Sequence, residues 1–490
     1  MPMSASPSFF WHDYETFGIR PQRDRPAQFA GIRTDLDLNP IGDPVEWFCQ
    51  PTNDFLPDPE SVLITGITPQ MAAQKGVPEA EFVNRLHAEL ATYGTCGVGY
   101  NTLRFDDELS RHLFWRNLID PYGREWQNGC SRWDLLDCVR ATYAFRPEGI
   151  VWPEREDGSG VPSFKLEHLT RANGLAHEAA HDALSDVRAT IAFARLIKAQ
   201  QPRLFDFCFK LRKKDAVATE IGPYDGHLFL HVSGMYPATQ GCLATVAAIG
   251  AHPTNKNEVP LWDLQYDPAE LFDLSAEQIR TRLFTRTEDL PEGQTRLPIK
   301  TVHLNKSPVV VSNLKVLSAE RADALRIDLV NAQANASKLA GLLAQHSKTL
   351  ANKLKQVYSR EQNLPTRDVD EALYDGFLGD GDRRQLDKCR AATPQALAGM
   401  ALNFTDTRLH EVVFRYRARN WPNSLSEPDQ VRWQQHRAER LLDGAHGYLN
   451  LDTLHEKLAA LRTEREDDAA AMALLDELEA FAEQQTEDLL

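Results

Sequence analysis

Ser8-Phe9-Phe10-Trp11-His12-Asp13-Tyr14-Glu15-Thr16-Phe17-Gly18 sets an Asp-x-Glu pair at the end of an aromatic run. The run predicts a buried β-strand that closes at Gly18. Side chains alternate along a strand, so Asp13 and Glu15 point the same way, about 7 Å apart along the chain. Two like charges on one side of a core strand are costly unless cations bind there, and hard divalent ions such as Mg²⁺ favour carboxylate oxygens. The strand therefore reads as half of a metal site whose other half lies downstream.

At 490 residues the chain is too long for one core and predicts two to four domains. Its 42% hydrophobic and 25% charged residues fit a soluble globular protein and argue against wholesale disorder. The seven cysteines are odd in number, scattered and free of any Cys-x-x-Cys pair, which points away from a disulfide framework or a cysteine zinc site. Residues 1–7 lack a basic region and an apolar core, and no run approaches about 18 apolar residues. We therefore expect neither signal peptide nor membrane span, and a cytoplasmic location. The net charge of −16 is at first sight wrong for a nucleic-acid partner. Thirteen acidic against three basic residues between Leu441 and Leu490 account for −10 of it, so a local basic track elsewhere remains possible.

Downstream, residues 27–34 predict a second, antiparallel strand. Residues 61–68 read as an apolar segment broken at Gly66, either a close approach or a plain loop glycine. Residues 82–90 predict an amphipathic helix and 97–100 a short strand. That strand runs into Asn101-Thr102-Leu103-Arg104-Phe105-Asp106-Asp107-Glu108, placing Asp106 at a strand-to-helix junction. From there a carboxylate can reach a cleft, although Asp106 or Asp107 could equally cap the helix. Farther on, His181 and Asp186 lie near the start of an apolar helix through 191–197. Together these carboxylates could hold two metal ions, with a histidine able to take a proton from water near neutral pH.

Asp13-x-Glu15, Asn101-x-x-x-Phe105-Asp106 and His181-x-x-x-x-Asp186 resemble the three motifs of the DEDDh 3′-to-5′ exonucleases. The chain is similar almost throughout to the bacterial exonuclease I family, in the words at 12–18, 24–30, 63–70, 131–137, 231–235 and 416–420. The resemblance implies a multidomain α/β protein. Its parts would be an RNase H-like DEDDh exonuclease domain with a mixed sheet flanked by helices (1–201), an SH3-like barrel domain (202–353) and a C-terminal α-helical domain (354–490). It implies processive 3′-to-5′ degradation of single-stranded DNA to 5′-mononucleotides in DNA repair and recombination. Asp13, Glu15, Asp106 and Asp186 would hold two Mg²⁺ ions, for which Mn²⁺ can substitute, and His181 would be the general base. The alternatives are a DEDDh ribonuclease or proofreading exonuclease, and a non-catalytic DNA-binding scaffold.

A rival motif overlaps the site: His177-Glu178-Ala179-Ala180-His181 matches His-Glu-x-x-His, the zinc metallopeptidase signature. It leaves the other carboxylates unexplained, and Asn173-Gly174 just upstream suggests a turn instead of a helix. For the DNA, aromatic faces that stack bases and cations along the phosphates are required. The resemblance favours Glu15, Arg111, Tyr122, Trp126, Arg140 and Lys165, with Lys256 and Lys306 on the barrel. Residues 414–421 alternate aromatics with arginines, and Arg432, Trp433, His436, Arg437 and Arg440 follow at helical spacing; these would line a DNA path or pair with the acidic tail. The resemblance further implies a monomer that binds the C-terminal tail of the single-stranded-DNA-binding protein, through Arg146, Phe207, Lys315, Arg321 and Lys338.

Overall fold

The computed structural model describes residues 6–176, 181–359 and 367–489, which form two compact units. The first comprises Met1–Ser131, His177–Arg188 and Pro365–Leu490. Its sheet is built on β1 (Ser8–Thr16), the predicted strand, with β2 (Pro26–Thr34), β3 (Val45–Phe48) and β4 (Thr95–Gly99). The order β3-β2-β1-β4 makes β1 central, antiparallel to β2 and parallel to β4. Phe10, Tyr14 and Phe29 pack with Phe82, Val83, Leu86 and Leu90 of the helix Glu79–Leu90. Those four recur at helical spacing and bury one face, each contributing about 1.5–3 kcal/mol.

The break at Gly66 in the apolar 61–68 segment is the end of a helix. Pro59–Thr65 is a helix capped by Asp58, and Gly66 ends it in a left-handed conformation (φ 67°) with open space around its Cα. The glycine is there for its backbone angle, not for a close approach.

Two further helices matter below: α1 (Asp106–Arg116) of this unit, and α2 (Ala183–Gln200), whose first turns to Arg188 belong to it. Near the C-terminus, α3 (Arg408–Asn420) and α4 (Glu427–Leu441) carry the arginine-rich stretch. Most of these arginines have structural duties. Arg419 and Arg440 are buried against Asp54 and Asp370, and Arg440 also meets Asp368 at 2.9 Å, beside Arg415 and Arg25. Arg437 alone of the set reaches the acidic tail, at Asp488 (2.7 Å), while Arg417 pairs with Asp429 and Arg432 with Glu411. Alternating charge and aromatics looked like a ligand track in sequence because the carboxylates that hold the most buried arginines, Asp54, Asp368 and Asp370, lie far along the chain and cannot be seen from the stretch itself.

The second unit holds Arg132–Ala176 and Ala189–Leu364. The short strand β5 (Ser131–Asp134) runs into the helix Leu135–Phe145, capped by Asp134. Helix α2 ends at Gln200, and Pro202 opens the next helix at its first position, where the missing N–H costs nothing. An antiparallel sheet follows: β6 (Leu228–Val232), β7 (Leu243–Ala248), β8 (Glu258–Asp263), β9 (Ile299–His303) and β10 (Val309–Val311), in the order β10-β6-β7-β8-β9. The apolar residues between 302 and 311 thus divide between two strands, β9 and β10, at opposite edges of the sheet. The 29-residue helix Leu329–Val357 packs Leu339, Leu343, Leu350 and Leu354 onto Leu228, Ile249 and Trp262. All seven cysteines are buried and free, and no helix among the described residues is long and apolar enough to cross a membrane.

Burial alone would raise the Asp54 carboxyl, but Arg419 and Arg440 beside it hold it well below the ordinary range; Asp370 behaves likewise between Arg419, Arg415 and Arg440. Depressed carboxyl values stabilise the fold above the ordinary carboxylate pKa, and that stability is lost as pH falls below it. Replacing Asp54 by Asn strands buried guanidinium groups and should cost about 3–5 kcal/mol, read as a fall in unfolding midpoint. The deficit should narrow as both proteins are taken from pH 7 towards pH 3.

Candidate active site

Strand β1 presents Asp13 and Glu15 to one face and His12 and Tyr14 to the other. The register is fixed by Asp13 opposite Ala30 and Glu15 opposite Gln28, with a bulge immediately after Glu15. A bulge there ends the ladder and re-aims the chain at the edge of the site. Gly18 follows because a Cβ at that position would overlap the Asp24 carboxylate, which accepts from the Arg20 N–H at 2.7 Å. On the opposite face the Tyr14 hydroxyl meets Ser110 Oγ at 2.9 Å, joining β1 to α1.

Neither Asp106 nor Asp107 is a helix cap. The N-cap residue is Phe105, and both carboxylates occupy the first turn of α1, where the helix dipole favours negative charge. Asp106 is 4% exposed, Asp107 wholly buried. His181 stands before α2, not within it: its φ is 65°, a left-handed value, and its N–H lies 3.3 Å from Asp186 Oδ2. The start of α2 is held by a residue that the sequence did not single out. Gln28, opposite Glu15, accepts from the Ala183 N–H (3.2 Å) and donates to Asp182 (3.1 Å) and Glu46 (2.9 Å). Asp182 in turn accepts from the Ser185 N–H at 3.0 Å. A glutamine inside an apolar strand, opposite Glu15 in the hairpin register, was the available signal.

Donor atoms of Glu15, His181 and Asp186 all lie within 4.8 Å of one another. Burial, then Asp106, Glu15 and Asp186, raise the Asp13 carboxyl well above its usual value. Burial, then Asp186, Asp106 and Asp182, push Glu15 up to about 8. Carboxylates 13, 15, 106 and 186 therefore share one electrostatic site, in which burial first and repulsion from the neighbouring carboxylates second raise Asp13 and Glu15. An oxygen-rich, mutually repelling donor set beside an imidazole fits hard divalent cations. His12, one residue from Asp13, is of another kind. Burial, then Arg124, push it down to about 4, so it is neutral at physiological pH. His177 and Glu178 of the His-Glu-x-x-His motif lie outside the described residues. His181 itself is off the helix on which that motif would require it.

The other predicted residues fall into distinct settings. In the first unit, Trp126 is 65% exposed and Tyr122 half-buried, flanking the short 3-10 turn Gly123–Glu125. Arg111 is 5% exposed and engaged by Glu108 (2.7 Å) and Glu125 (2.7 Å). In the second unit, Arg140 pairs with Asp137 at 2.6 Å and lies against Gly234, where a Cβ would approach its Cζ to 2.7 Å. Lys165 is exposed, 3.7 Å from Glu167; Lys256 is exposed and Lys306 half-buried. Arg146 and Phe207 line a cavity of about 590 Å³ with Phe145, Leu204, Val311 and Val316, and the unanticipated Arg203 stands at its edge. Lys315 is exposed nearby in sequence to Val316, Arg321 donates to the carbonyls of Tyr143 and Ala144, and Lys338 is held 2.7 Å from Asp267.

Comparison with known proteins sets this geometry in a family. Residues 10–194 match the family model described as Exonuclease, 212–360 the Exonuclease I SH3-like domain, and 367–485 the Exonuclease I C-terminal domain. The exodeoxyribonuclease I of Escherichia coli (strain K12) is 43% identical over 479 residues, covering 97% of this chain and 98% of its own. The exonuclease I structure from Methylocaldum szegediense superposes with a TM-score of 0.92 at 48% identity, over 98% of this chain and 100% of that one. The zinc-bound form of the E. coli exonuclease I complex with single-stranded DNA gives 0.91 at 41%, with the same coverage. By matching domain models along its length and relatives aligned almost from end to end, the chain belongs to the exodeoxyribonuclease I family.

Proposed function

We propose that this protein removes nucleotides one at a time from the 3′ end of single-stranded DNA, releasing 5′-mononucleotides, in DNA repair and recombination. The observation that carries the reading is the convergence of Glu15, His181 and Asp186 on one point, with Asp13 and Asp106 in the same field. Asp13, Glu15, Asp106 and Asp186 are the residues that would hold a pair of Mg²⁺ ions, with Mn²⁺ as a substitute. When bound, the cations supply Lewis-acid polarisation of the scissile phosphate and lower the pKa of water. His181, exposed beside the carboxylates, accepts the proton of the attacking water. Water oxygen bonds to the terminal phosphorus, the bond to the neighbouring 3′ oxygen breaks, and that oxygen takes a proton from solvent to become the 3′-hydroxyl of the shortened strand. The left-handed backbone at His181 and the Gln28 bridge to α2 hold the base in place relative to Glu15.

The strand itself is held by Tyr122 and Trp126 through base stacking and by Arg140, Lys165, Lys256 and Lys306 along the phosphates. The functional division is an exonuclease domain (1–201), an SH3-like domain (202–353) and a helical domain (354–490) in a cytoplasmic monomer. The cavity lined by Arg146 and Phe207, apolar within and edged by Arg203, suits the acidic C-terminal tail of the single-stranded-DNA-binding protein. Lys315, Arg321 and Lys338 add positive charge on the same unit.

Purified protein with Mg²⁺ should release mononucleotide at once from 3′-labelled single-stranded DNA and shorten 5′-labelled DNA stepwise. Preferential cleavage of RNA would favour a ribonuclease, and retention without cleavage a scaffold. Asn or Gln in place of any of the four carboxylates should lower turnover about a thousand-fold or more, equivalent to about 4 kcal/mol, while DNA retention changes little. Trp126→Ala should raise KM for single-stranded DNA by about 5- to 150-fold, the worth of one stacked base at about 1–3 kcal/mol.

A pH effect of opposite sign to that of Asp54 follows from Glu15. Its folded value, about 8, lies above the ordinary 4.5, so the metal-free fold holds a proton that the unfolded chain releases. The stability this contributes is complete below about 4.5 and lost as pH rises through 8. Mg²⁺ should therefore raise the melting temperature more at pH 9 than at pH 6, and Glu15→Gln should shrink that difference.

A further inference from the structure

Helix α1 begins with Asp106, and two of its buried charged residues, Asp107 and Arg111, are one turn apart on the same face. They grip consecutive residues of the 3-10 turn Gly123–Glu125 with opposite polarity. Asp107 pairs with Arg124, both side chains 1% exposed. Arg111 pairs with Glu125 through two parallel bonds, Nε to Oε1 at 2.7 Å and Nη2 to Oε2 at 2.9 Å. The reversed signs fix the register, since sliding the turn by one residue would set like charges against each other. Arg111 also donates to Glu108 (2.7 Å) and to the Tyr374 hydroxyl (3.1 Å), so four of its five N–H groups are spent inside the protein. Its guanidinium lies 5.3 Å from the centre of the Tyr122 ring. Tyr122 precedes the gripped turn and Trp126 follows it.

We propose that these two ion pairs are a clamp that makes the metal ligand Asp106 and the aromatic platform of Tyr122 and Trp126 a single rigid piece. Arg111 is on this account a positioning residue acting through Glu125, not a phosphate contact. The inference rests on the reading of the protein as a single-stranded-DNA exonuclease. A strand stacked on the platform is thereby registered against the carboxylates, and a shift at either end is felt at the other. The near-complete burial of Asp107 and Arg124 gives the link its stiffness, because neither charge can leave its partner for water.

Arg111→Met, Glu125→Gln and the double variant test the clamp, with KM for single-stranded DNA, the Mg²⁺ concentration for half-maximal rate, and the salt dependence of KM as readouts. Each single variant should raise KM and the Mg²⁺ requirement together, by about ten-fold; the double should be no worse than either, and the salt slope should stay unchanged. The proposal is overturned if Glu125→Gln leaves KM unchanged or lowers it while Arg111→Met raises KM and cuts the salt slope by about one, the signature of a phosphate contact. The pair Asp107→Leu with Arg124→Met removes both buried charges and should melt as a folded protein while still requiring more Mg²⁺. A wild-type Mg²⁺ requirement in that folded double variant would also refute the clamp. Failure of the underlying reading would show differently, as wild-type protein that does not digest single-stranded DNA from its 3′ end.

Discussion

Mutual repulsion among carboxylates 13, 15, 106 and 186 is the constraint around which the first unit is built. A central strand, the start of α1 and the start of α2 each deliver acidic groups to one place, and each is fastened from behind. Tyr14 bonds Ser110 of α1, and Gln28 bridges to Asp182 and Ala183 at α2. Like charges drawn together in a water-poor site would drive these elements apart without such fastenings. Burial first and that repulsion second raise the carboxyls of Asp13 and Glu15.

The same unit holds a second buried acidic group with the opposite electrostatic fate. Asp54, Asp368 and Asp370 are as buried as the site carboxylates, yet guanidinium groups of Arg415, Arg419 and Arg440 keep them ionised. One cluster is neutralised by the protein and serves cohesion, tying Asp54 to helices nearly 400 residues away in sequence. The other is shifted chiefly by burial and by its own members, which leaves its charge to be met by an ion. Asp107 belongs to the first kind although it adjoins Asp106, because Arg124 meets it within the fold. Neighbours in sequence can thus be one structural and one chemical carboxylate, sorted by the face of the helix on which they fall.

The strand from Ser8, the hairpin partner through Thr34, the helix through Leu90 and the break before Pro202 were legible, because alternation, helical spacing and proline chemistry act over a few residues. Asp13 and Glu15 stood out for a related reason, as acidic groups inside an apolar run, whereas Asp106, His181 and Asp186 stood out through their resemblance to the motifs of a family. What could not be read was partnership. Gly66 was an apparent break in an apolar segment until its left-handed backbone showed a helix end, and the stretch at 302–311 divided between two sheet edges. Arg111 and Arg419 looked alike as cations beside aromatics. Only the fold put Glu125 against one, and Asp54 with Asp370 against the other.

By itself, then, the order of residues determined the local elements and which groups are candidates for the chemistry, since residue type and local period decide what a strand or helix turn can present. The tertiary structure alone decided which charges are spent on one another and which remain for a cation or a DNA strand. Charge pairing depends on distances of a few ångströms between positions far apart in the chain, and those distances exist only once the chain has folded.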